Sequence, residues 1–200
     1  MTDLSEAIRR RRSAARVTGP APTDDDVLDL VAAAATGPDH GLMRPWRLIS
    51  VRGAARSTLG RAAAADLPPE DEAGRDREAA KPLRAPLLLS IVFTPRENPK
   101  VPEWEQLAAT SAMVHNLVLL LHVRGWGAMW RTGPASRSSA VGAVLGLAPG
   151  ERSLGWLFVG TPDPVSIPAP RPAFDARDRL SQLTPQGAVT PLFPRAGTAT

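Results

Sequence analysis

Residues 104–133, WEQLAATSAMVHNLVLLLHVRGWGAMWRTG, decide the fold that this sequence predicts. The stretch 104–123 contains neither proline nor glycine, and its apolar residues recur at the spacing of an α-helix. Apolar residues also fill most of its other faces, so we expect a helix that is buried on nearly all sides. Gly125 and Gly127 end this helix, and residues 128–132 predict a short strand.

The predicted strand carries one arginine, Arg131, in an apolar setting. A guanidinium group that is buried there requires an anionic partner, because an unpaired buried charge is costly. The alternative is that the Arg131 side chain simply reaches solvent. This segment alone does not decide between the two.

The composition of the 200-residue chain indicates one globular domain, with or without arms. The chain has no cysteine and no tyrosine, so any electron transfer requires a bound cofactor. No apolar run approaches the ~18–20 uninterrupted residues of a membrane span, and the N-terminus lacks the apolar segment of a secretory signal. We therefore expect a cytoplasmic protein that does not bind a membrane.

The net charge is +4, and the one tight basic cluster in the sequence is Arg9–Arg12. A nucleic-acid interface requires clustered positive charge, and elsewhere the charges alternate in sign as they do on a solvated surface. The sequence therefore does not favour nucleic acid as a partner. The alternative from a different functional class is a basic protein that is not an enzyme and binds nucleic acid through Arg9–Arg12.

Helices and strands alternate irregularly along the rest of the chain, which favours an α+β fold over a doubly wound α/β sheet. Besides the long helix, the expected helices are 4–12, 24–35, 54–65 and 136–145, and the other expected strands are 46–51, 87–93 and 154–159. Thr23 and Ser136 are the expected N-caps of two helices. Leu4 and Ile8 are the expected buried pair of the first helix.

Prolines become frequent from Thr161 onward. Such a segment cannot build a core of its own, because proline fixes the backbone and removes a hydrogen-bond donor. We therefore expect residues 1–162 to form the domain and residues 163–200 to form an arm that is extended or partly disordered.

Three polar patches are candidate binding sites. The first consists of Arg11, Arg12 and Ser13 together with Arg16, and its forked donors and hydroxyl suit a phosphate. A basic helix end that complements the helix dipole explains the same residues equally well.

The second patch is the loop around His40, although a histidine in a loop rich in proline and glycine is usually just exposed. The third patch is Trp130, Arg131 and Thr132, where an indole, a guanidinium and a hydroxyl are consecutive. That combination suits a flat polar ligand with a phosphate tail.

Other site motifs are missing from the sequence. The segment Gly125–Trp130 lacks the final glycine of a GxGxxG motif and follows a helix rather than a strand. There is no Walker A lysine, no HExxH and no GxSxG. His40, His115 and His122 are not spaced as metal ligands, so we expect no metal site.

Taken in order, these patches resemble the nitroreductase family of flavoproteins, in particular its small YdjA-like branch. The resemblance covers residues 4–162. The residues that carry it are Arg11-Arg12-Ser13, Pro38-Asp39-His40, Pro45-Trp46, Lys100-Val101-Pro102, Trp104-Glu105-Gln106, Gly125–Gly133 and Gly155–Pro162. Each motif is short, and the order and spacing of the motifs make the match specific.

The resemblance implies an α+β fold with a mixed, mainly antiparallel sheet flanked by helices. It also implies a homodimer that binds FMN at its interface, with the long helix as the dimer core. By motif position, the implied FMN contacts are Arg11, Arg12, Ser13, Trp130, Arg131 and Thr132 of one subunit, and His40 and Thr36 of the other. Arg131 is the expected partner of the FMN phosphate.

The activity that the resemblance implies is a ping-pong reaction, in which a hydride passes from NAD(P)H through FMN to a nitroaromatic, a quinone or a similar acceptor. The flavin carries the chemistry, so no catalytic side chain is expected. A cation near flavin N1 and O2 is expected at Arg12 or Arg16. A flavin-binding relative with a different redox reaction is the alternative within the family. The sequence departs from the family pattern at Ala15, Thr36 and Leu42.

Overall fold

The strand Leu87–Phe93 lies inside the main sheet, and all seven of its side chains are buried. It is apolar except for Ser90, because helices cover both faces of the sheet. The structure is a computed structural model that describes residues 3–166 and 171–194. The chain divides into two compact units, Met1–Pro168 and Ala169–Thr200.

In chain order, the helices are α1 (Leu4–Arg10), α2 (Asp24–Ala34), α3 (Ala55–Ala64), α4 (Glu72–Ala79), α5 (Glu103–Val123) and α6 (Ser139–Val144). The strands are β1 (Val17–Thr18), β2 (Trp46–Arg52), β3 (Leu87–Phe93), β4 (Gly127–Arg131), β5 (Arg152–Pro162), β6 (Ser181–Leu183) and β7 (Val189–Pro191). The expected α+β architecture is confirmed, and most element boundaries agree to within two residues.

Strands β1 to β5 form one sheet, and each of their pairings is antiparallel. β3 lies between β2 and β5, and β4 pairs with β5. β1 pairs with the C-terminal end of β5. β4 is therefore an edge strand beside the N-terminal segment of the chain.

Alternate residues of β3 supply two separate cores. Leu87, Leu89 and Ile91 belong to a core shared with α2 and α5, whereas Leu88 belongs to a core shared with α3 and α6. This division follows from the two-residue period of a strand. The two sheet faces are called the α5 face and the α3 face below.

Helix α5 is buried along one face only in the single chain. Its inner face packs on the sheet through apolar residues such as Met113 and Leu117, both almost completely buried. On the outer face, Trp104 is 68% exposed and Leu107 is 39% exposed. The expectation of burial on nearly all sides is therefore wrong for one protomer, because the sequence pattern does not state what covers each face.

Helix α5 is also long and apolar enough to cross a membrane by length and composition alone, although polar residues interrupt its sequence. The core helix of a soluble domain meets the same criteria. Buried Gln106 on its inner face donates to the carbonyls of Arg96 and Val101 and accepts from the amide of Arg96. These polar contacts, and the packing of the inner face on the sheet, indicate that α5 is a core helix of the domain.

Two local predictions are wrong. Leu4 and Ile8 are exposed in the single chain, and Ala7 is the buried residue of α1, which ends at Arg10 instead of Arg12. The N-cap of α6 is Ser138 rather than Ser136, and its Oγ accepts from the Val141 amide. Ser136 lies in the 3-10 turn before the helix, where its hydroxyl donates to the Gly133 carbonyl.

The predicted cap of α2 is confirmed. Thr23 Oγ1 accepts from the Asp26 amide at 3.1 Å, and an Asp26 carboxylate oxygen accepts from the Thr23 amide at 2.9 Å. This reciprocal capping box satisfies amides that a helix start otherwise leaves open. It fixes the start of α2 and therefore the position of the loop that follows the helix.

The second unit contains a 3-10 turn at Ala176–Arg179 and a hairpin of β6 and β7. This hairpin is local structure within the segment predicted to be an extended arm. Residues 167–170 and 195–200 of that segment lie outside the described residues. The domain boundary expected after residue 162 stays a prediction.

A two-pronged ion pair connects β2 to the start of β5. Arg47 donates from Nε and Nη2 to the two carboxylate oxygens of Glu151, at 2.8 and 2.6 Å. The same carboxylate accepts from the Ala148 amide, and Arg47 also donates to the Gly146 carbonyl. The hydrogen bonds from Arg47 lower the pKa of Glu151 from 4.5 to about 2.

We predict that replacing this carboxylate with an amide (E151Q) lowers the free energy of unfolding by about 1–3 kcal/mol near neutral pH, because charge-assisted hydrogen bonds are lost. The folded-state pKa of Glu151 is depressed, so its contribution is complete above pH 4.5 and is lost as the pH falls towards about 2. Urea unfolding of both proteins at several pH values measures this difference. E70Q, at an exposed glutamate, should change stability by less than about 0.5 kcal/mol. A difference between wild type and E151Q that stays constant down to the acid limit would contradict the assignment.

Candidate functional site

The segment that directly follows Ser13 of the first polar patch meets the third patch at the edge of β4. The Ala14 amide donates to the Ala128 carbonyl at 3.0 Å, and Arg131 Nη2 donates to the Ala15 carbonyl at 3.2 Å. The segment that follows α1 therefore runs along the edge strand. A Cβ atom at Gly127 would lie 2.9 Å from side-chain atoms of Ala14 and Val17, so this close approach requires glycine.

Gly155 of β5 fixes the end of β4. Its φ is +99°, and a Cβ atom there would lie 2.2 Å from the Arg131 carbonyl oxygen. No other residue type fits both conditions without strain. The backbone of Arg131 is therefore held against β5, and its side chain extends over the α3 face.

Arg131 has a donor without a partner. Its Nε atom is buried and donates no hydrogen bond to any group among residues 3–166 and 171–194, while its guanidinium group lies 5.1 Å from the Phe158 ring centroid. A buried guanidinium donor without an acceptor is costly, so the site favours an anion or another acceptor. That Arg131 binds an anion stays a prediction.

Arg131 lines two neighbouring cavities. A cavity of about 450 Å³ is lined by Ala15, Arg16, Val17, Thr18, Arg84, Arg131 and Asp163. Three of these residues are arginines, and the single carboxylate, Asp163, lies 3.4 Å from Arg16 Nε. The cavity is therefore positively charged. It is called the basic cavity below.

The second cavity, of about 490 Å³, shares Arg84 and Arg131 with the basic cavity. It lies on the α3 face, and its wall includes the aromatic rings of Trp156 and Phe158. It is called the aromatic cavity. Sequence analysis missed Trp156 and Phe158, whose proximity to Arg131 depends on the register of β4 against β5, and Arg84, which lies in the turn before β3.

Trp130 and Thr132 lie apart from the Arg131 side chain. They line a cavity of about 620 Å³ that also contacts Leu107 and Ser111 of α5. The Trp130 indole donates to the Leu154 carbonyl at 2.8 Å, so its N–H group is already used within the chain. The three consecutive residues of the third patch therefore face two sides of the sheet, as strand alternation requires.

The backbone of Trp130 faces the open edge of β4. The Ala128 carbonyl points away from β5, because it accepts from Ala14. Residues two apart in a strand direct their polar groups to the same edge, so the N–H and C=O groups of Trp130 point the same way. The edge beside residues 11–16 therefore offers backbone hydrogen bonds to a polar ligand.

The first patch is partly used within the chain. Arg12 Nη1 donates to the carbonyls of Arg9 and Arg11, as expected for a basic helix end, and Arg10 pairs with Glu6. Ser13 is exposed.

Arg11 is half-buried near the end of α5. The pKa of His122 is lowered, first by burial and then by the positive charge of Arg11. The two residues are therefore close. Arg11 and Ser13 occupy the same side of the molecule as the edge of β4.

His40 and Thr36 lie on a different flank of α5. His40 Nδ1 is 2.7 Å from Glu105 Oε2, and the Thr36 hydroxyl donates to the Ala33 carbonyl. At 100° per residue, position 105 points away from positions 103, 107 and 111. One protomer therefore does not bring His40 to the cavity that Trp130 lines.

The loop after His40 has an unusual backbone. Leu42 and Arg44 have positive φ angles of 50° and 44°, which are uncommon for residues with a side chain. The Asp39 carboxylate holds the loop by accepting from the amides of Met43 and Arg44, at 3.1 and 2.7 Å. Strain of this kind occurs preferentially at functional sites.

No group of three or more histidine or acidic side chains that could hold a metal ion occurs in the described part of the chain. The site consists instead of arginines, aromatic rings and an open strand edge. It can bind a flat ligand that carries a negative charge.

Known proteins are similar to this chain in sequence and in fold. The sequence model of the nitroreductase family matches residues 8–161. The protein named "Putative NAD(P)H nitroreductase YdjA" of Escherichia coli strain K12 is 31% identical over 181 residues, which covers 85% of this chain and 97% of the relative.

Solved structures share the fold. A nitroreductase-like family protein from Bacillus cereus has a TM-score of 0.79 and 26% identity, covering 90% of this chain and 95% of that one. The FMN- and NADPH-dependent nitroreductase NfnB from Sphigopyxis sp. strain HMH has a TM-score of 0.69 and 22% identity, covering 90% and 98%. The family match and the YdjA identity both span most of the chain, so this protein belongs to the nitroreductase family.

Proposed function

We propose that this protein is an FMN-dependent oxidoreductase that transfers a hydride from NAD(P)H to a nitroaromatic, a quinone or a similar acceptor. Its relative YdjA carries the name of an NAD(P)H nitroreductase, and NfnB is described as FMN- and NADPH-dependent. The observation that carries the proposal is the partnerless Arg131 Nε atom beside a cavity with three guanidinium groups. Because the reductant is NAD(P)H, we infer a cytoplasmic location.

The residues present fit FMN. The FMN phosphate is an anion with several acceptor oxygens, and the basic cavity offers Arg16, Arg84 and Arg131 as donors. The ring system is flat and largely apolar with a polar edge, and the open backbone edge at Trp130 suits that edge. Arg11, Arg12, Ser13, Trp130, Arg131 and Thr132 are the contacts that we propose from one protomer.

Each of these residues acts by binding or orientation. Bound FMN supplies the acceptance and return of a hydride, so no side chain has to act as acid or base. The guanidinium groups hold the phosphate and fix the direction of the ligand. Arg12 donates to the carbonyls of Arg9 and Arg11, and Arg16 lines the basic cavity, so a cation near flavin N1 and O2 stays a prediction.

The overall reaction with a nitroaromatic acceptor balances as NAD(P)H, a proton and the nitro compound giving NAD(P)⁺, the nitroso compound and water. We propose a ping-pong order, in which the nicotinamide leaves before the acceptor binds. The support for this order is that both reactants have to reach the same flavin.

We further propose that the protein is a homodimer with its FMN sites at the interface. The outer face of α5 carries exposed Trp104 and Leu107 together with small residues, so a second helix can approach closely. His40 and Thr36 lie across α5 from the cavity lined by Trp130. Pairing two α5 helices would let these residues of one protomer reach the site of the other.

The first test removes the Arg131 guanidinium. We predict that R131A weakens FMN binding by about tenfold or more, because a charge-assisted contact to the phosphate is lost. Titration of the FMN-free protein with FMN, followed by flavin fluorescence, measures the dissociation constant. Circular dichroism verifies that the variant is folded.

The matched control is R124A, which removes the same charge from the exposed turn after α5. It should bind FMN like the wild type. Unchanged FMN affinity in a folded R131A protein would refute the role assigned to Arg131.

The second test concerns the dimer. We predict that a charge on the outer face of α5, introduced by A108E, lowers the mass measured by light scattering from twice 21.2 kDa to 21.2 kDa. FMN binding should fall with it, since His40 and Thr36 would no longer reach the other protomer.

The control is V144E, at an exposed apolar position on α6. It should leave both the mass and the FMN affinity unchanged. A wild-type protein that is monomeric and retains FMN would overturn the interface proposal while leaving the flavin proposal intact.

A further inference from the structure

Two exposed arginines line one groove at the end of the sheet where β2 begins and β3 ends. They are Arg44, in the loop before β2, and Arg96, in the loop after β3. No hydrogen bond or ion pair among residues 3–166 and 171–194 engages either side chain. The groove has a volume of about 420 Å³ and is called the Arg44 groove below.

The backbone of Arg44 is strained and held in place. Its φ angle is +44°, which glycine adopts freely and a residue with a Cβ atom adopts at a cost. Its amide donates to the Asp39 carboxylate at 2.7 Å, and its carbonyl accepts from the Trp46 amide at 2.8 Å. A long charged side chain at such a position indicates a use for that side chain, because strain of this kind persists mainly at functional sites.

The backbone of Arg96 is fixed by a buried amide. Gln106 is only 1% exposed, and its side chain accepts from the Arg96 amide at 2.9 Å and donates to the Arg96 carbonyl at 2.8 Å. The two loops are also joined, since the Thr94 amide donates to the Pro45 carbonyl at 2.8 Å. The two arginines are therefore anchored relative to each other before any ligand binds, which lowers the entropic cost of binding.

The other charges in the groove wall offset each other. Of the residues that line the groove in the described part of the chain, Glu151 is the one carboxylate, and it is committed to the two-pronged pair with Arg47. Glu97 follows Arg96 in sequence but lies outside the lining and is exposed. The groove therefore keeps two positive charges that the chain does not neutralise.

We propose that the Arg44 groove binds a phosphate group, with Arg44 and Arg96 as its donors. A phosphate ester carries up to two negative charges and several acceptor oxygens, which match planar guanidinium groups. Pro95 and Pro149 supply apolar surface for the organic part of the ester. No residue of this lining lines either cavity that contains Arg131, so the groove is distinct from the proposed site of the FMN phosphate.

Two sources of such a phosphate share this chemistry. One is a free phosphate ester, and the other is the 2′-phosphate that distinguishes NADPH from NADH. Thr36, His40 and Arg44 belong to the same loop, so a dimer that brings His40 to the flavin site of the other protomer also brings the Arg44 groove towards it. The NADPH source rests on the proposed function, whereas phosphate binding itself does not.

The test measures equilibrium binding to the purified full-length protein by calorimetry in a buffer without phosphate. The probes are glucose 6-phosphate and adenosine 2′-phosphate, and glucose and adenosine are their uncharged counterparts. We expect at least one phosphorylated probe to bind about tenfold more tightly than its counterpart. R44Q and R96Q should each weaken it about fivefold, as an exposed ion pair allows, and R77Q, at an exposed arginine of α4, should not.

Arg44→Asn separates binding from a structural role. Asparagine tolerates positive φ better than arginine does, so the melting temperature should be equal to or higher than that of the wild type while the phosphorylated probe binds about fivefold more weakly. A structural role for the guanidinium group would lower the melting temperature. Leu42→Asn is the matched control, since Leu42 also has positive φ and lies outside the lining. It should leave probe binding unchanged.

Steady-state kinetics distinguishes the two sources. If the phosphate is that of NADPH, R44Q lowers kcat/KM for NADPH about fivefold and leaves kcat/KM for NADH unchanged. If R44Q weakens glucose 6-phosphate and changes neither kinetic constant, the groove stands with a free ester as its ligand.

Three results would overturn the groove. They are equal affinity for the phosphorylated and uncharged probes, unchanged binding to R44Q and R96Q, and loss of probe binding in R131A alone, which would place the probes in the basic cavity. If the probes bind as expected to a protein that never binds FMN, the groove stands and the proposed function fails.

Discussion

The pairing of edge strand β4 with β5 is the constraint on which the rest of the structure depends. Gly155 lets the Arg131 carbonyl approach to a distance that any Cβ atom would prevent, and Gly127 does the same for the N-terminal segment at the other end of β4. These two glycines set the position of Arg131 relative to residues 11–16. The site is therefore built by close backbone approach, and the charged side chains follow from it.

The two faces of the sheet carry different candidate binding residues. Trp130 lies on the α5 face with its indole N–H satisfied, whereas Arg131 lies on the α3 face with a donor left open. The partnerless atoms there reduce the stability of the ligand-free protein, since each lost hydrogen bond costs about 1–3 kcal/mol. Departures of this kind from optimal folding occur at functional sites.

Local patterns could be predicted from the sequence, whereas register could not. The buried strand β3 and the Thr23 cap follow from neighbouring residues, and both are confirmed. Strand alternation alone separates Trp130 from Arg131. Trp156 is found beside Arg131 only when β4 is aligned against β5, which depends on contacts distant in sequence. The apolar pattern of α5 overstates its burial in one protomer, because such a pattern describes all the surfaces that cover a helix, including any outside the protomer.

The loop after α2 has a strained backbone that is ordered within one protomer. Left-handed backbone at Leu42 and Arg44 costs roughly 1–2 kcal/mol per residue. The Asp39 carboxylate offsets this cost with two charge-assisted hydrogen bonds and fixes the loop before any partner is present. A loop that is already ordered loses little conformational entropy when it binds. In a dimer paired along α5, the strain therefore acts as preorganisation, and His40, held by Glu105, would meet the neighbouring site with its position already set.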